Sequence, residues 1–180
     1  MPPGFRFTLK APKRITHDAR LRDCEELLKY FLDTAATLGP QLGMLLFQLP
    51  PFFKKDLAVL DAFLENFPAQ SRAAFEFRHF SWLSPEVFER LRARNLTLCV
   101  ADSENSSTPV EITADCGYFR LRDEGYTPRD IEQWARTIQE KTSRCRDVYV
   151  YFKHEEAGTG PQFARLLLDA LGMGGGGTTG

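Results

Sequence analysis

The sequence predicts an α/β protein of the TIM (β/α)-barrel class, and three observations lead to that prediction. Six short apolar segments with strand character alternate with amphipathic segments of helical period along the 180 residues. Strands and helices that alternate at this spacing form a parallel sheet. Polar or charged residues stand at the C-terminal end of nearly every predicted strand, where such a barrel carries its active site.

The predicted strands are short, and the most informative one lies at residues 73–80, with the sequence AAFEFRHF. Because side chains alternate across a strand, Glu76 and Arg78 share one face and the phenylalanines between them share the other. A charge inside a strand costs free energy unless it is paired or faces a solvated site. The predicted strands are Phe5–Lys10, Met44–Leu49, Ala73–Arg78, Leu96–Asp102, Tyr118–Arg122 and Val148–Lys153.

The segments between the strands combine helical spacing of apolar residues with helix-boundary residues. Ser84-Pro85 and Thr127-Pro128 each supply an N-cap residue followed by proline at the first helical position. Only the link from Asp102 to Tyr118 lacks a clear helix. The predicted helices cover residues 18–38, 54–66, 85–94, 128–143 and 161–171.

A closed barrel and an open doubly wound sheet both fit this order of elements. No G-x-G-x-x-G or G-x-x-x-x-G-K-[ST] motif follows a strand, so the sequence predicts no nucleotide-binding open sheet and no cofactor. The 180 residues give 30 residues to each of six units, whereas eight units need roughly 240. We therefore predict one domain over residues 1–171, a barrel that is incomplete at its N-terminus with about six of eight units. A Gly-rich disordered tail over residues 172–180 follows it.

Composition narrows the class of protein. The chain is 43% hydrophobic and 26% charged with a formal net charge of −1, so it has no overall attraction for nucleic acid or anionic membranes. No apolar run approaches the roughly 20 residues of a membrane span, and the N-terminus lacks a signal-peptide core. The widely spaced cysteines show no zinc motif and indicate reduced thiols in a cytoplasmic protein: Cys24, Cys99, Cys116 and Cys145.

Seven segments form a specific combination: PPGFRFTLKAP, ITHD, LLFQLPPFF, AFEFRHFSW, LCVADS, YFRLR and DVYVYFKHEEAGTGP. Together they resemble the YecE-like family, known as domain of unknown function 72, from about Pro3 to Leu171. The resemblance implies a TIM barrel with about two further βα units ahead of PPGFRF. It implies no established reaction.

The period-two rule gathers the polar strand ends into one candidate cavity if the polar faces point inward. Cations outnumber carboxylates there, and a bound anion would relieve their mutual repulsion. We predict Glu76 or Asp102 as the general acid/base and Tyr151 as a hydrogen-bond donor to a developing oxyanion. The predicted substrate-binding residues are Lys10, Gln48, Arg78, His79, Arg120, Lys153 and His154. The glycine-containing loop over residues 154–161 precedes a helix and offers a further place for an oxyanion.

Two functional hypotheses follow from this cavity. The first is an enzyme that acts on a small phosphate- or carboxylate-bearing substrate. The second is a non-catalytic module that binds a small anion or, less favoured by the near-zero net charge, nucleic-acid phosphate. A structural alternative remains for Glu76 and Arg78, since buried ion pairs imitate active sites.

A metal-dependent hydrolase is a third hypothesis, because His17, His79 and His154 all follow predicted strands. With Glu76 and Asp102 they would suffice for a divalent site. The sequence contains no H-x-H or H-E-x-x-H spacing, and the nearby cations oppose a metal ion, so we predict no metal.

The predicted barrel leaves two terminal strands, Phe5–Lys10 and Val148–Lys153, without neighbours on one side. Open strand edges promote association. We therefore expect self-association through these edges and no membrane partner.

Overall fold

The computed structural model describes residues 4–69, 71–154 and 158–174. Strands and helices alternate along these residues, and the six predicted strands pair in sequential order with parallel neighbours. This confirms the predicted α/β fold with a parallel sheet. The chain divides into two compact units, Met1–Leu98 and Cys99–Gly180, so the single domain over residues 1–171 stays a prediction. Most of the predicted tail, residues 175–180, lies outside the described residues.

The first unit is built from strands that pair side by side in the order in which they occur. Three helices connect them. The elements are β1 (Phe7–Lys10), α1 (Glu25–Ala36), β2 (Leu42–Gln48), α2 (Leu57–Glu65), β3 (Ala73–Glu76), α3 (Pro85–Ala93) and the first two residues of β4 (Thr97–Ser103).

Aromatic packing fixes the helix-facing side of this sheet. Phe47 of β2 stacks on Phe75 of β3 with ring centroids 5.3 Å apart, and its edge meets Phe63 of α2 at 5.7 Å. Trp82 is fully buried, stacks on Phe77 at 5.1 Å and donates its indole N–H to the Phe53 carbonyl at 2.6 Å. Because Phe47, Phe75 and Phe77 take this face, the alternating polar residues of β2 and β3 take the other.

The first predicted helix differs from the structure. Residues Arg14–Asp18 form a π-helical turn, and α1 begins only at Glu25. Between them Arg20, Leu21 and Asp23 have φ values of 49°, 66° and 45°, which a right-handed helix does not allow. Leu21 is nevertheless buried, with 4% of its surface exposed. It therefore fits the apolar spacing of a helix in the sequence, although the chain turns at this residue.

The second unit contains the remainder of β4 and two further parallel strands. Its elements are β5 (Ser106–Ser107), β6 (Cys116–Leu121), α4 (Pro128–Lys141), β7 (Asp147–Phe152) and α5 (Thr159–Ala170). β6 pairs with β4 and with β7, and β5 forms a short antiparallel hairpin with β4. The link between Asp102 and Tyr118 contains no helix, as predicted.

The core of the second unit lies between its sheet and its two helices. Val100, Phe119 and Leu121 of the strands pack with Ile131 and Ile138 of α4. A capping box closes the start of α4 through the side chains of Thr127 and Asp130. Among the described residues, none of the helices has the length and apolar character needed to cross a membrane.

Candidate functional site

A hydrogen-bonded network joins the C-terminal ends of β1, β2 and β3. The Lys10 ammonium group donates to Gln48 Oε1 at 2.7 Å, and Gln48 Nε2 donates to Glu76 Oε1 at 2.9 Å. Gln48 and Glu76 are direct neighbours in the register of β2 and β3, so they share a face as the sequence predicts. We refer to these three residues as the Lys10–Gln48–Glu76 network.

The network connects a buried carboxylate to an exposed cation. Glu76 is 0% exposed and Gln48 is 7% exposed, whereas Lys10 lies at the surface. Because an ammonium group only donates and a carboxylate only accepts, the network fixes which way the Gln48 amide points. The hydrogen bond between Gln48 and Glu76 is buried, and buried hydrogen bonds are strong and hold their groups in place. The arrangement keeps one carboxylate away from bulk water at the end of a strand.

The charges of Lys10 and Arg78 act on His17, which the sequence suggested only as a metal ligand. Its Nδ1 lies 2.8 Å from the hydroxyl oxygen of Thr16. Burial lowers the pKa of His17 below its ordinary value, and the charges of Lys10, Lys13 and Arg78 lower it further, against a smaller opposing effect of Asp18. The imidazole is therefore neutral at pH 7 in a cationic environment. Its position in the turn that follows β1 is the signal available in the sequence.

His79 offers a hydrogen-bond donor on the loop after β3. Its Nδ1 accepts the backbone N–H of Ser81 at 3.2 Å, and its ring stacks on that of Phe80 at 4.7 Å. Since a backbone amide can only donate, Nδ1 carries no proton, and in the neutral ring the proton lies on Nε2. The neutral ring therefore presents an N–H group, which suits an anionic ligand.

Asp102 faces the opposite way from the sequence prediction. It is the register neighbour of Leu121, which packs in the core against Ile131 of α4, whereas Arg120 is the neighbour of Ala101. Directly paired residues share a face of the sheet, so Asp102 lies on the helix side and does not share a face with Arg120. This corrects the prediction that the two residues line the same cavity.

Asp102 instead belongs to a cleft of about 500 Å³ beside α4. The Tyr126 hydroxyl donates a hydrogen bond to Asp102 Oδ2, with the two oxygens 2.6 Å apart. Burial raises the pKa of Tyr126 far above its ordinary value, and the hydrogen bond and charge of Asp102 raise it further. The tyrosine therefore keeps its proton at neutral pH and holds the carboxylate in place.

The remaining predicted residues of the second unit differ in their surroundings. Arg120 and Tyr151 are register neighbours on β6 and β7. The ring centroids of Tyr151 and Tyr118 lie 5.4 Å apart. Lys153 is exposed directly after β7. Arg120 and Tyr151 share the predicted face. That they line one cavity with the residues of the first unit stays a prediction.

His154 is surrounded by aromatic rings. Its Nε2 donates to the Asp123 carbonyl at 2.8 Å, and the ring of Phe163 meets it edge-on at 4.9 Å. Residues 155–157 of the predicted oxyanion loop lie outside the described residues. Gly158 has a φ of 69° at the start of α5, a conformation that favours glycine. These contacts place His154 in the packing of its unit, and its binding role stays a prediction.

We searched the described residues for groups of side chains that could hold a metal ion. Within the described parts of the chain, His, Cys, Asp and Glu form no group of three or more with the geometry to hold a metal ion. The histidine nitrogens described above bond to Thr16, Ser81 and the Asp123 carbonyl. The metal-dependent hydrolase therefore stays a hypothesis from the sequence.

Comparison with known proteins agrees with the architecture. The family model described as "Protein of unknown function DUF72" matches residues 1–178. The protein UPF0759 YecE of Escherichia coli K12 is 38% identical over 93 residues, which is 51% of this chain but only 34% of that protein. YunF of Bacillus subtilis 168, also named UPF0759, is 24% identical over 94% of this chain and 74% of its own length.

Two solved crystal structures have a similar fold. A DUF72 family protein of Thermotoga maritima superposes with a TM-score of 0.81 at 26% identity, covering 96% of this chain and 74% of that one. A DUF72 family protein of Enterococcus faecalis gives a TM-score of 0.79 at 19% identity, covering 96% of this chain and 80% of the other. The matched region thus leaves out about a quarter of the Thermotoga chain.

Proposed function

The chain belongs to the DUF72 family of proteins of unknown function, and from this premise we propose that it is an enzyme acting on a small anionic substrate. The substrate carries a phosphate or carboxylate group. It binds at the C-terminal ends of the strands of the first unit. The Lys10–Gln48–Glu76 network is the observation that carries this proposal.

Each residue at these strand ends has a chemical role in the proposal. Lys10 and Arg78 supply positive charge for the anion, and Arg78 adds the planar donor geometry suited to phosphate and carboxylate oxygens. His79 donates a hydrogen bond to the anion from Nε2. Glu76 acts as general acid/base from its buried position, where Gln48 orients it.

The charge balance at these strand ends favours an anion over a cation. Lys10 and Arg78 contribute two positive charges against the one carboxylate of Glu76, while the lowered pKa of His17 keeps that ring neutral. An anion that binds here neutralises the excess. Arg120, Tyr151 and Lys153 remain candidate binding residues of the second unit in this proposal.

We further propose that the fold is a TIM barrel of which this chain supplies about six of eight units. The sequential parallel order of the strands supports this proposal, as does the similarity to solved family members. In such barrels the active site lies at the C-terminal ends of the strands. A cytoplasmic location is proposed with it, on the four well-separated cysteines of the sequence.

A non-catalytic anion-binding module is the second candidate, since the same cations would serve it. The Glu76→Gln variant separates the two functions. An enzyme keeps its ligand and loses turnover when the acid/base carboxylate becomes an amide, whereas a binding module has no turnover to lose. Turnover is screened with p-nitrophenyl phosphate and with p-nitrophenyl esters that carry a second, free carboxylate.

Sulfate titration tests the anion site by calorimetry, because sulfate stays dianionic across the pH range of the experiment. We expect Arg78→Ala and Lys10→Met each to weaken sulfate binding by about tenfold, the size of a lost charge-assisted hydrogen bond. Lys29→Ala is the matched control, since Lys29 lies on α1 and pairs with Asp33 at 2.6 Å. Prior chelation removes metals.

The outcomes distinguish the hypotheses. Equal affinities in all variants would show that the cations at these strand ends are structural. Loss of sulfate binding upon chelation alone would favour the metal-dependent hydrolase and contradict an anion site formed by these cations.

A further inference from the structure

The loop that follows β3 places an aromatic ring in water beside the proposed anion site. Phe80 is 79% exposed, although it stands next to the half-buried His79 and close to the fully buried Trp82. β3 has hydrogen-bonded neighbours on both sides, β2 and β4, so this loop lies inside the sheet order and not at one of its ends. A single exposed apolar residue is ordinary on a protein surface. Phe80 is informative because of what holds it there.

Hydrogen bonds fix this loop to the loop that follows β2. The backbone N–H of Lys55 donates to Ser81 Oγ at 2.8 Å, and Trp82 Nε1 donates to the Phe53 carbonyl at 2.6 Å. The Phe53 and Trp82 rings also meet edge-on, with centroids 5.2 Å apart. Because the residues directly after Phe80 are held in this way, the backbone position of Phe80 is fixed as well.

His79 connects the ring of Phe80 to the proposed anion site. The two rings stack at an interplanar angle of 25°, with centroids 4.7 Å apart. Ser81 Oγ lies 2.8 Å from His79 Nδ1, and because this oxygen accepts the Lys55 N–H, its own proton is available to Nδ1. Nε2 of the neutral ring is therefore the donor for an anion. The imidazole covers one face of Phe80, and the high exposure of Phe80 leaves the opposite face open to solvent.

An anion bound to His79 brings its attached group to the ring of Phe80. An oxygen that accepts the Nε2 hydrogen bond lies about 3 Å from Nε2. The Phe80 ring lies nearly parallel to the imidazole, at one stacking distance from it. Aromatic pairs are stabilising in offset-stacked and edge-to-face arrangements, with centroids about 4.5–7 Å apart. A planar ring attached to the anion is therefore within reach of Phe80.

A second exposed ring borders the same strand ends. Phe52, on the loop after β2, is 65% exposed, whereas Phe53 beside it is buried. The exposed surface at the ends of these strands thus combines aromatic rings with the cations Lys10 and Arg78. This combination suits a ligand with an anionic group and an apolar planar part, because the cations attract the anionic group and the rings remove the planar part from water.

We propose that Phe80 is a specificity-determining residue of the proposed site, and that the substrate is an aryl phosphate or aryl carboxylate whose ring packs on Phe80. The inference rests on the proposed function, since it uses the same anion site. Lys10, Arg78 and His79 bind the anionic group, and Phe80 selects what is attached to it. Aliphatic anions of the same charge meet the same cations without the ring contact, so they are the weaker ligands.

Sulfonates test this assignment by calorimetry on the full 180-residue chain. They keep one negative charge across the pH range, and they contain no ester bond that an enzyme of the proposed kind would cleave. Benzenesulfonate carries the ring and methanesulfonate lacks it, so the ratio of their affinities measures the ring contact. We expect the parent chain to bind benzenesulfonate about tenfold more tightly than methanesulfonate, the size of an aromatic contact.

Three variants assign this preference to Phe80. Phe80→Ala makes the affinities for the two sulfonates equal and leaves the affinity for sulfate unchanged. Phe80→Trp keeps the preference, because it keeps an aromatic ring at this position. Tyr30→Ala is the matched control and also keeps the preference, because Tyr30 is 73% exposed but lies on α1, away from the strand ends.

The outcomes separate this inference from the proposed function. A parent chain that binds no sulfate contradicts the anion site and this inference with it. A parent chain that binds sulfate without preferring benzenesulfonate leaves the anion site standing and overturns the role of Phe80. Equal losses of sulfate and benzenesulfonate affinity in Phe80→Ala overturn that role as well, since Phe80 then only holds His79 in place. Cyclohexanesulfonate has a ring of similar size that is not aromatic, and an affinity equal to that of benzenesulfonate overturns the aryl substrate class.

Discussion

At the scale of single residues, the alternation of side chains along a strand predicts which face of the sheet a residue occupies only where one of the two faces is polar. In β3, Glu76 stands between the buried Phe75 and Phe77 on the opposite face, and Gln48 of β2 is its register neighbour. Asp102 was placed on the wrong face because its strand is apolar on both sides, so Leu98 and Val100 gave no sign that they pack under helices. Strands buried on both faces lose the alternation on which the prediction depends.

His17 supplies a prediction about the proposed site. Replacing Lys10 with methionine removes one of the charges that lower the pKa of His17, so that pKa rises toward its ordinary value. NMR titration of the His17 imidazole measures this change, with Lys29→Met as the control. An unchanged His17 pKa in Lys10→Met would contradict the placement of the two residues in one cluster.

The same histidine couples sulfate binding to pH. Because the pKa of His17 lies below its ordinary value, lowering the pH through that pKa adds a positive charge that interacts with those of Lys10 and Arg78. Sulfate affinity therefore rises as the pH falls, and bound sulfate raises the pKa of His17 by linkage. His17→Gln removes this part of the pH dependence. A sulfate affinity with the same pH profile in both proteins would show that His17 does not face the anion.

At the scale of elements, the residues at helix boundaries predict where helices begin better than the spacing of apolar residues does. The N-cap and proline signals at Ser84-Pro85 and Thr127-Pro128 match the starts of α3 and α4. The apolar period alone extended the first helix back to residue 18, whereas α1 begins at Glu25. Burial of Leu21 in a left-handed conformation imitates a helical position, which a periodic pattern cannot distinguish.

The capping box of α4 gives a prediction at this scale. Thr127 accepts the Asp130 N–H, and Asp130 in turn accepts the N–H and the hydroxyl of Thr127. Thr127→Ala removes the cap side chain and lowers the free energy of unfolding of the second unit by about 1 kcal/mol. Hydrogen exchange of the α4 amides at increasing urea concentration measures this loss within the second unit. Thr127→Ser is the control, because a serine hydroxyl makes the same cap bonds as threonine, and an equal loss in both variants would argue against the box.

At the scale of the whole molecule, the sequence predicted the parallel pairing and the order of the strands. Both depend on the local alternation of strands and helices. Because the connections are short, strands that follow each other in the sequence lie side by side in the sheet. The division into two compact units was not predicted, because the contacts that define it join residues far apart in sequence. Closure of a barrel depends on such distant contacts as well, which is why it remains a proposal.

The central claim is that the strand ends of the first unit bind an anion. Crystals of the chain soaked in selenate, an anomalous scatterer with the shape and charge of sulfate, test it most directly. We expect an anomalous peak within hydrogen-bond distance of Lys10 Nζ and the Arg78 guanidinium, and no such peak in Arg78→Ala crystals. Selenate peaks confined to other surfaces, with these cations directed elsewhere, would contradict it.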